Sequence, residues 1–149
     1  VTDEQTVPDS QGVQGPPAAV AEYLARGMGQ LADKMGMVVT ELGADRAVAS
    51  IPVEGNRQPA GLLHGGAYVV LAESLGSMAA NIHAGPGRYA VGIELSASHT
   101  RSATSGRVTG TCTAIHLGGT LTTHEIVLTD DEGRRCSTVR ITNIIRDAR

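Results

Sequence analysis

Phenylalanine and tryptophan are absent from this 149-residue chain, and tyrosine occurs only as Tyr23, Tyr68 and Tyr89. A core of Val, Ile, Leu, Ala and Met is therefore expected, and an aromatic ligand would be held mainly by aliphatic walls. Positive charge is not in excess. The 12 Lys and Arg against 15 Asp and Glu leave a formal net charge of -3, which gives no reason to expect nucleic acid or an anionic membrane as a partner. No uncharged apolar run reaches about eighteen residues, so no membrane-spanning helix is expected. Cysteine is scarce too. With only Cys112 and Cys136, and with Val1-Thr2-Asp3-Glu4-Gln5 lacking the basic and apolar regions of a secretory signal, reduced thiols and a cytoplasmic location are expected. His64, His83, His99, His116 and His124 show no HxxxH spacing and the cysteines no CxxC, so no metal site is expected. P-loop and dinucleotide fingerprints are missing, as are internal repeats.

What remains is organised by glycine and by period. Residues 1–17 are polar and end in Pro16-Pro17, which reads as a tail. Residues 18–149 are read as a single domain. Val20, Tyr23, Leu24, Met28 and Leu31 recur at helical spacing and predict one amphipathic helix over Ala18–Lys34, opened by Pro17 and stopped by Gly36. Met37–Leu42 and Arg46–Val53, joined by Gly43-Ala44-Asp45, predict a hairpin. Gly65–His83 predicts a long helix, apolar nearly all round and ended by Gly85-Pro86-Gly87. Beyond it, Tyr89, Val91, Ile93, Leu95 and Ala97 alternate with smaller or polar residues, and Gly106–Leu117, Leu121–Thr129 and Arg135–Ile145 form a meander. The expected architecture is α+β, with about five strands in a curved antiparallel sheet around the long helix, plus the extra N-terminal helix. One sheet cannot cover a helix completely, so self-association is expected, as a dimer and further as a dimer of dimers.

The chemistry gathers on the long helix. Glu73 stands among Val69, Val70 and Ala80, and an unpaired charge in such a setting is costly, which marks functional positions. Ser77, four residues on, shares its face, whereas Ser74 points about 100° away and is read as structural. At the helix start the first N–H groups lack internal acceptors and the dipole is positive, so Gly65 and Gly66 suit an oxyanion or a polarised carbonyl. Gln58 and His64 flank this point, either as side-chain donors or as ordinary loop residues. Ala72-Glu73-Ser74-Leu75-Gly76 matches a relaxed nucleophile elbow, but Ser74 falls inside a helix rather than at a strand-to-helix turn, so that reading is rejected. His99 continues the apolar face of its strand and faces the helix unless a bulge intervenes, either as a core histidine or as part of a site. Arg101 shares that face and suits an anion such as a phosphate.

Gln58, then Gly61-Leu62-Leu63-His64-Gly65-Gly66-Ala67, then Leu71-Ala72-Glu73-Ser74 resemble the hot-dog-fold acyl-CoA thioesterases, in the branch that carries a glutamate on the central helix. The 4-hydroxybenzoyl-CoA, phenylacetate-pathway and 1,4-dihydroxy-2-naphthoyl-CoA enzymes belong to that branch. The last of these is similar also at Leu71–Ser77, Ser98–Ala103, Gly106-Arg107-Val108 and His116-Leu117-Gly118. The resemblance covers about Gly36–Ile145 and implies hydrolysis of an aryl-type acyl-CoA to free acid and coenzyme A, with no cofactor. It implies that Gly65 N–H and Gln58 polarise the thioester carbonyl and that Glu73 acts as nucleophile or as base on water. Ser77 would orient Glu73 or the water, His64 would shape the site, and His99, Arg101 and His116 would contact substrate or coenzyme A. It also implies that the site lies between subunits. Two other classes stay open, an acyl-thioester hydratase or dehydratase and a non-catalytic acyl-CoA-binding protein.

Overall fold

The computed structural model describes residues 18–149, so the tail expected at 1–17 lies outside the described residues. Two short helices come first, α1 (Ala18–Ala25) and α2 (Gln30–Lys34). The spacing from Ala18 to Lys34 predicts one helix, and the structure breaks it at Gly27 and Gly29. Their φ angles of 77° and 88° lie in the left-handed region, which a right-handed helix cannot contain. The apolar period is met only in part: Val20 is buried and Tyr23 and Met28 pack against the core, but Leu24 and Leu31 are exposed, and Ala32 takes the buried position on α2.

A hairpin follows, β1 (Val38–Leu42) and β2 (Arg46–Pro52), then α3 (Gly65–Ala84), then β3 (Arg88–His99), β4 (Arg107–Leu117), β5 (Leu121–Thr129) and β6 (Arg135–Asp147). These strands make one sheet in the order β1-β2-β4-β5-β6-β3, antiparallel throughout. The architecture is the expected α+β sheet around a helix, with six strands instead of about five. The strand read from the alternation at Tyr89–Ala97 is β3, which lies outside the hairpin and meander that make up the count of five and pairs along β6 from Arg88 opposite Asp147 to His99 opposite Ser137. Leu71, Ala72, Leu75 and Ala79 of α3 share one buried cluster with Ile51, Val108, Ile126, Leu128, Val139 and Ile141 of the sheet. Helix and sheet meet closely at Gly76, where an added Cβ would run into Ile141.

The sheet covers one side of α3 and the short helices part of another. Gly66 and Glu73 stay exposed, and Val69, Val70 and Ser77 are half-buried, forming an open stripe. The apolar run predicts a buried Glu73 in a helix wrapped all round. Within one protomer the carboxylate is instead open to solvent.

Edge strand β3 borders that stripe, and its register shifts between Gly92 and Glu94. Simple alternation puts Tyr89, Val91, Ile93, Leu95, Ala97 and His99 on one face. The bulge at Ile93 divides them, because one extra residue exchanges inside for outside. Ala90 is buried and a Cβ on Gly92 would point at α3, while beyond the bulge Leu95 packs on the core and His99 meets α3. Val91 and Ile93 are left 44% and 56% exposed on an unpaired edge.

Candidate active site

The loop leading into α3 is pinned before the helix begins. Asn56 Nδ2 donates to the carbonyls of Met35 and Pro52, each at 2.9 Å, and His64 N–H donates to the Asn56 carbonyl at 2.9 Å. Gln58 N–H reaches the Leu62 carbonyl at 2.8 Å and Gly61 N–H the Gln58 carbonyl at 2.9 Å, with Gly61 at φ 84° closing the turn. Gln58 Oε1 accepts from Ala60 N–H. Its carbonyl end is thereby occupied, and its NH₂ group is the end left to donate.

His64 is the N-cap of α3. Its backbone is extended, at φ -62° and ψ 134°, and its Nδ1 accepts from Gly66 N–H at 2.8 Å. This cap uses the Gly66 donor and leaves Nε2 protonated in the neutral ring. Gly65 N–H, one position earlier, has no acceptor among the described residues.

His99 comes to the same place from β3. Ser137, fully buried opposite it, donates its hydroxyl proton to the Ser98 carbonyl at 3.1 Å and lies 2.9 Å from His99 Nδ1. A hydroxyl has one proton, so Nδ1 is the donor in that pair and His99 Nε2 keeps its lone pair. Nε2 lies 3.2 Å from the point a Cβ on Gly65 would occupy, so Gly65 leaves room for the ring. Tyr68 fixes the remaining wall. Its ring lies 5.2 Å from that of His99, and its hydroxyl accepts from Ala103 N–H at 3.2 Å and donates to the Arg101 carbonyl at 3.4 Å. Burial pushes the Tyr68 phenol up to about 12, so it remains neutral. Gln58, Leu63, Gly65, Tyr68, His99 and Arg101 line one open cleft of about 370 Å³. Arg101 is exposed there and enters none of the ion pairs among the described residues.

The other residues singled out from the sequence lie elsewhere in the protomer. Glu73 is eight positions beyond Gly65, about 12 Å along the helix axis at 1.5 Å per residue. Its Oε1 lies 3.8 Å from the Cβ position of Gly92, beside β3. Ser77 Oγ donates to Asn143 Oδ1 at 3.2 Å. His116 is exposed on the β4–β5 hairpin, beside Gly118, whose carbonyl is 2.9 Å from Nε2 of His83 near the far end of α3. One protomer therefore collects Gln58, Gly65, His99 and Arg101 with His64 adjacent, holds Glu73 and Ser77 apart, and leaves His116 at the opposite end. Among the described residues no group of three or more His, Cys, Asp or Glu is placed to hold a metal ion.

Three residues of this neighbourhood escape a reading of the sequence alone. Tyr68 is the one tyrosine on α3, a signal open to inspection. Asn143 stands at an inward position of β6 between Ile141 and Ile145, where a polar residue breaks the apolar alternation. Ser137 has no such mark, because its pairing with His99 depends on the register of β3 against β6.

The chain was compared with known proteins. The family model described as "Thioesterase superfamily" matches residues 60–137. The proofreading thioesterase EntH of Cronobacter sakazakii is 45% identical over 122 residues, covering 81% of this chain and 89% of that one. A thioesterase of Pseudomonas aeruginosa, solved with a glutamine-to-alanine substitution, superposes with a TM-score of 0.81 at 38% identity, covering 91% of this chain and 98% of that one. A Staphylococcus aureus thioesterase has been solved as a glutamate-to-alanine variant, with a TM-score of 0.77, 30% identity, and coverage of 80% and 100%. The same protein has been solved as a glutamine-to-alanine variant, and the two substituted positions are 15 residues apart. Gln58 and Glu73 have the same separation here.

Proposed function

This chain belongs to the thioesterase superfamily and is a thioester hydrolase of the hot-dog fold, and from that footing we propose that it cleaves an aryl-type acyl-CoA, such as 1,4-dihydroxy-2-naphthoyl-CoA or a hydroxybenzoyl-CoA, to the free acid and coenzyme A. The observation that carries the assignment is the cleft at the start of α3. There the Gly65 N–H without an acceptor and the free amide end of Gln58 stand together. Two such donors suit the oxygen of a thioester carbonyl, which gains charge as the tetrahedral intermediate forms. Arg101, exposed at the rim, suits a phosphate of coenzyme A.

Glu73 supplies the attack, as nucleophile or as base on water, with Ser77 beside it, in the glutamate-on-helix manner. The paired substitutions in the Staphylococcus aureus protein support this, because they fall on a glutamine and a glutamate at the separation of Gln58 and Glu73. Gly65 and Glu73 are about 12 Å apart along one helix, so the oxyanion donors and Glu73 meet on a single carbonyl only if the donors come from one copy and Glu73 from another. The active unit is therefore a dimer, joined along the unpaired edge of β3 with its exposed Val91 and Ile93. No metal or redox cofactor is needed, because a thiolate departs without strong acid assistance.

A second reading of the substrate is an acyl group on a carrier protein instead of free coenzyme A, because the donors in the cleft act on the thioester carbonyl that both substrates share. Thiol release should be followed over aryl, naphthoyl and aliphatic thioesters, each offered on coenzyme A and on a phosphopantetheine carrier. Fastest release from aryl-CoA is expected, and faster release from the carrier would move the assignment to the second reading. An enoyl thioester that loses its conjugated absorbance without freeing thiol would identify a hydratase. Binding without release would identify a binding protein.

A further inference from the structure

Asn143 is the one amide among the buried polar residues, with 0% of its surface exposed, and it points from β6 toward α3. Its Oδ1 takes the Ser77 hydroxyl proton at 3.2 Å. Its Nδ2 has no partner among the described residues, and neither has Thr122 Oγ1, which belongs to its cross-strand neighbour. Buried donors and acceptors are rarely left this way, and here they border the face that carries Glu73. On the other side of Asn143 is Gly92. A Cβ placed on Gly92 would be 3.7 Å from Asn143 Oδ1 and 3.8 Å from Glu73 Oε1. The missing side chain thus leaves a niche bounded by the carboxylate and the amide.

We propose that Asn143 is a positioning residue for the hydrolysis, acting through Ser77 to seat the attacking water in the niche over Gly92. The argument rests on counting protons. Ser77 has one, and Asn143 Oδ1 takes it, so the Ser77 oxygen offers only lone pairs to its surroundings. Glu73, ionised, likewise offers only acceptors. A water between the two gives one proton to each, and its own lone pair is then free for the carbonyl. As the water oxygen bonds to the thioester carbon, its proton passes to the Glu73 carboxylate. The carbon–sulfur bond then breaks with its electron pair going to sulfur, and the proton returns to the thiolate. Glu73 works here as a base and forms no bond to the acyl group. This inference depends on the reading of Glu73 given above.

The test uses the full-length protein and the best substrate from the thiol-release panel. Asn143→Leu is expected to lower kcat about tenfold or more, the scale of a misplaced reacting group, with KM within about twofold of the parent. Its melting temperature should not fall, because leucine removes a buried donor that has no partner, and the Ser77 hydroxyl that loses its acceptor is only half-buried. In a Ser77→Ala background Asn143→Leu should cost nothing further, since both changes disrupt one device. Gly92→Ala gives an independent arm. Its Cβ would make ordinary contacts, 3.4 Å from Ile141 Cδ1 at the nearest, so the fold should persist while the niche fills and kcat falls. An unchanged kcat in Asn143→Leu, or the same loss with and without Ser77, overturns the inference. Glu73→Ala is run alongside. If it stays fully active, the assignment of Glu73 itself is wrong, a separate failure from that of Asn143.

Discussion

At the scale of single residues, the site is a matter of which hydrogen-bonding capacity is already used. Gln58 has its oxygen engaged by Ala60 and its amide protons available. Gln58→Ala is expected to reduce kcat roughly tenfold or more, as for loss of one oxyanion donor, and a raised KM at constant kcat would reassign it to binding. Glu73→Ala should lose at least about 10²-fold in kcat, the lower end for a positioned acid–base or nucleophilic group. Its thermal unfolding should not fall, because the Glu73 carboxylate enters none of the ion pairs among the described residues. His124 lies outside this chemistry and should be visible in stability. Burial holds its imidazole below the ordinary 6.5, with the nearby His83 acting in the same direction and the hydrogen bond to the Ala44 carbonyl opposing. The folded state then binds fewer protons than the unfolded chain, so stability present above pH 6.5 is lost as pH falls from there toward the depressed value. Urea midpoints measured at pH 7.5 and about pH 5.5 should differ more for the parent than for His124→Leu. Equal differences would mean that His124 is not the group responsible.

At the scale of elements, glycines and parity decide what the sequence makes legible. The central helix is expected over Gly65–His83 and observed over Gly65–Ala84, because glycine-rich turns bracket it at both ends. Gly27 and Gly29 carry the same kind of information, yet they sit inside a continuing apolar period, so the break between α1 and α2 stays hidden. The bulge in β3 is hidden for a different reason. Residues on both sides of it are apolar, and alternation alone cannot report that the faces have been exchanged. Gly76 is a close contact of helix and sheet, and Gly76→Ala should destabilise by about 1–3 kcal/mol, the usual cost of overpacking. A urea midpoint equal to that of the parent would show that Ile141 can move aside.

At the scale of the whole molecule, the open stripe of α3 and the bare edge of β3 lie side by side, and the apolar surface they expose is the signature of a missing partner. Sedimentation at low micromolar concentration should give a dimer or larger. Ile93→Lys should shift it toward monomer and abolish thiol release together. An active monomer would contradict the shared site. What the sequence conveys here is the need for cover, read from an apolar helix longer than one sheet can wrap. It does not convey where the cover falls, because Glu73 looks buried in a linear pattern and is bare in three dimensions.

The distance from Gly65 to Glu73 along one helix also has a genetic meaning. Two copies that each lack a different half of the machinery can repair one another. When the impaired Gln58→Ala and Glu73→Ala proteins are mixed and allowed to exchange subunits, half of the dimers pair one of each. Every such dimer has one site with both lesions and one site with none. Recovery to about a quarter of the parental activity is then expected from a two-fold symmetric pair, above the roughly tenth or less that Gln58→Ala keeps alone and the roughly hundredth or less that Glu73→Ala keeps.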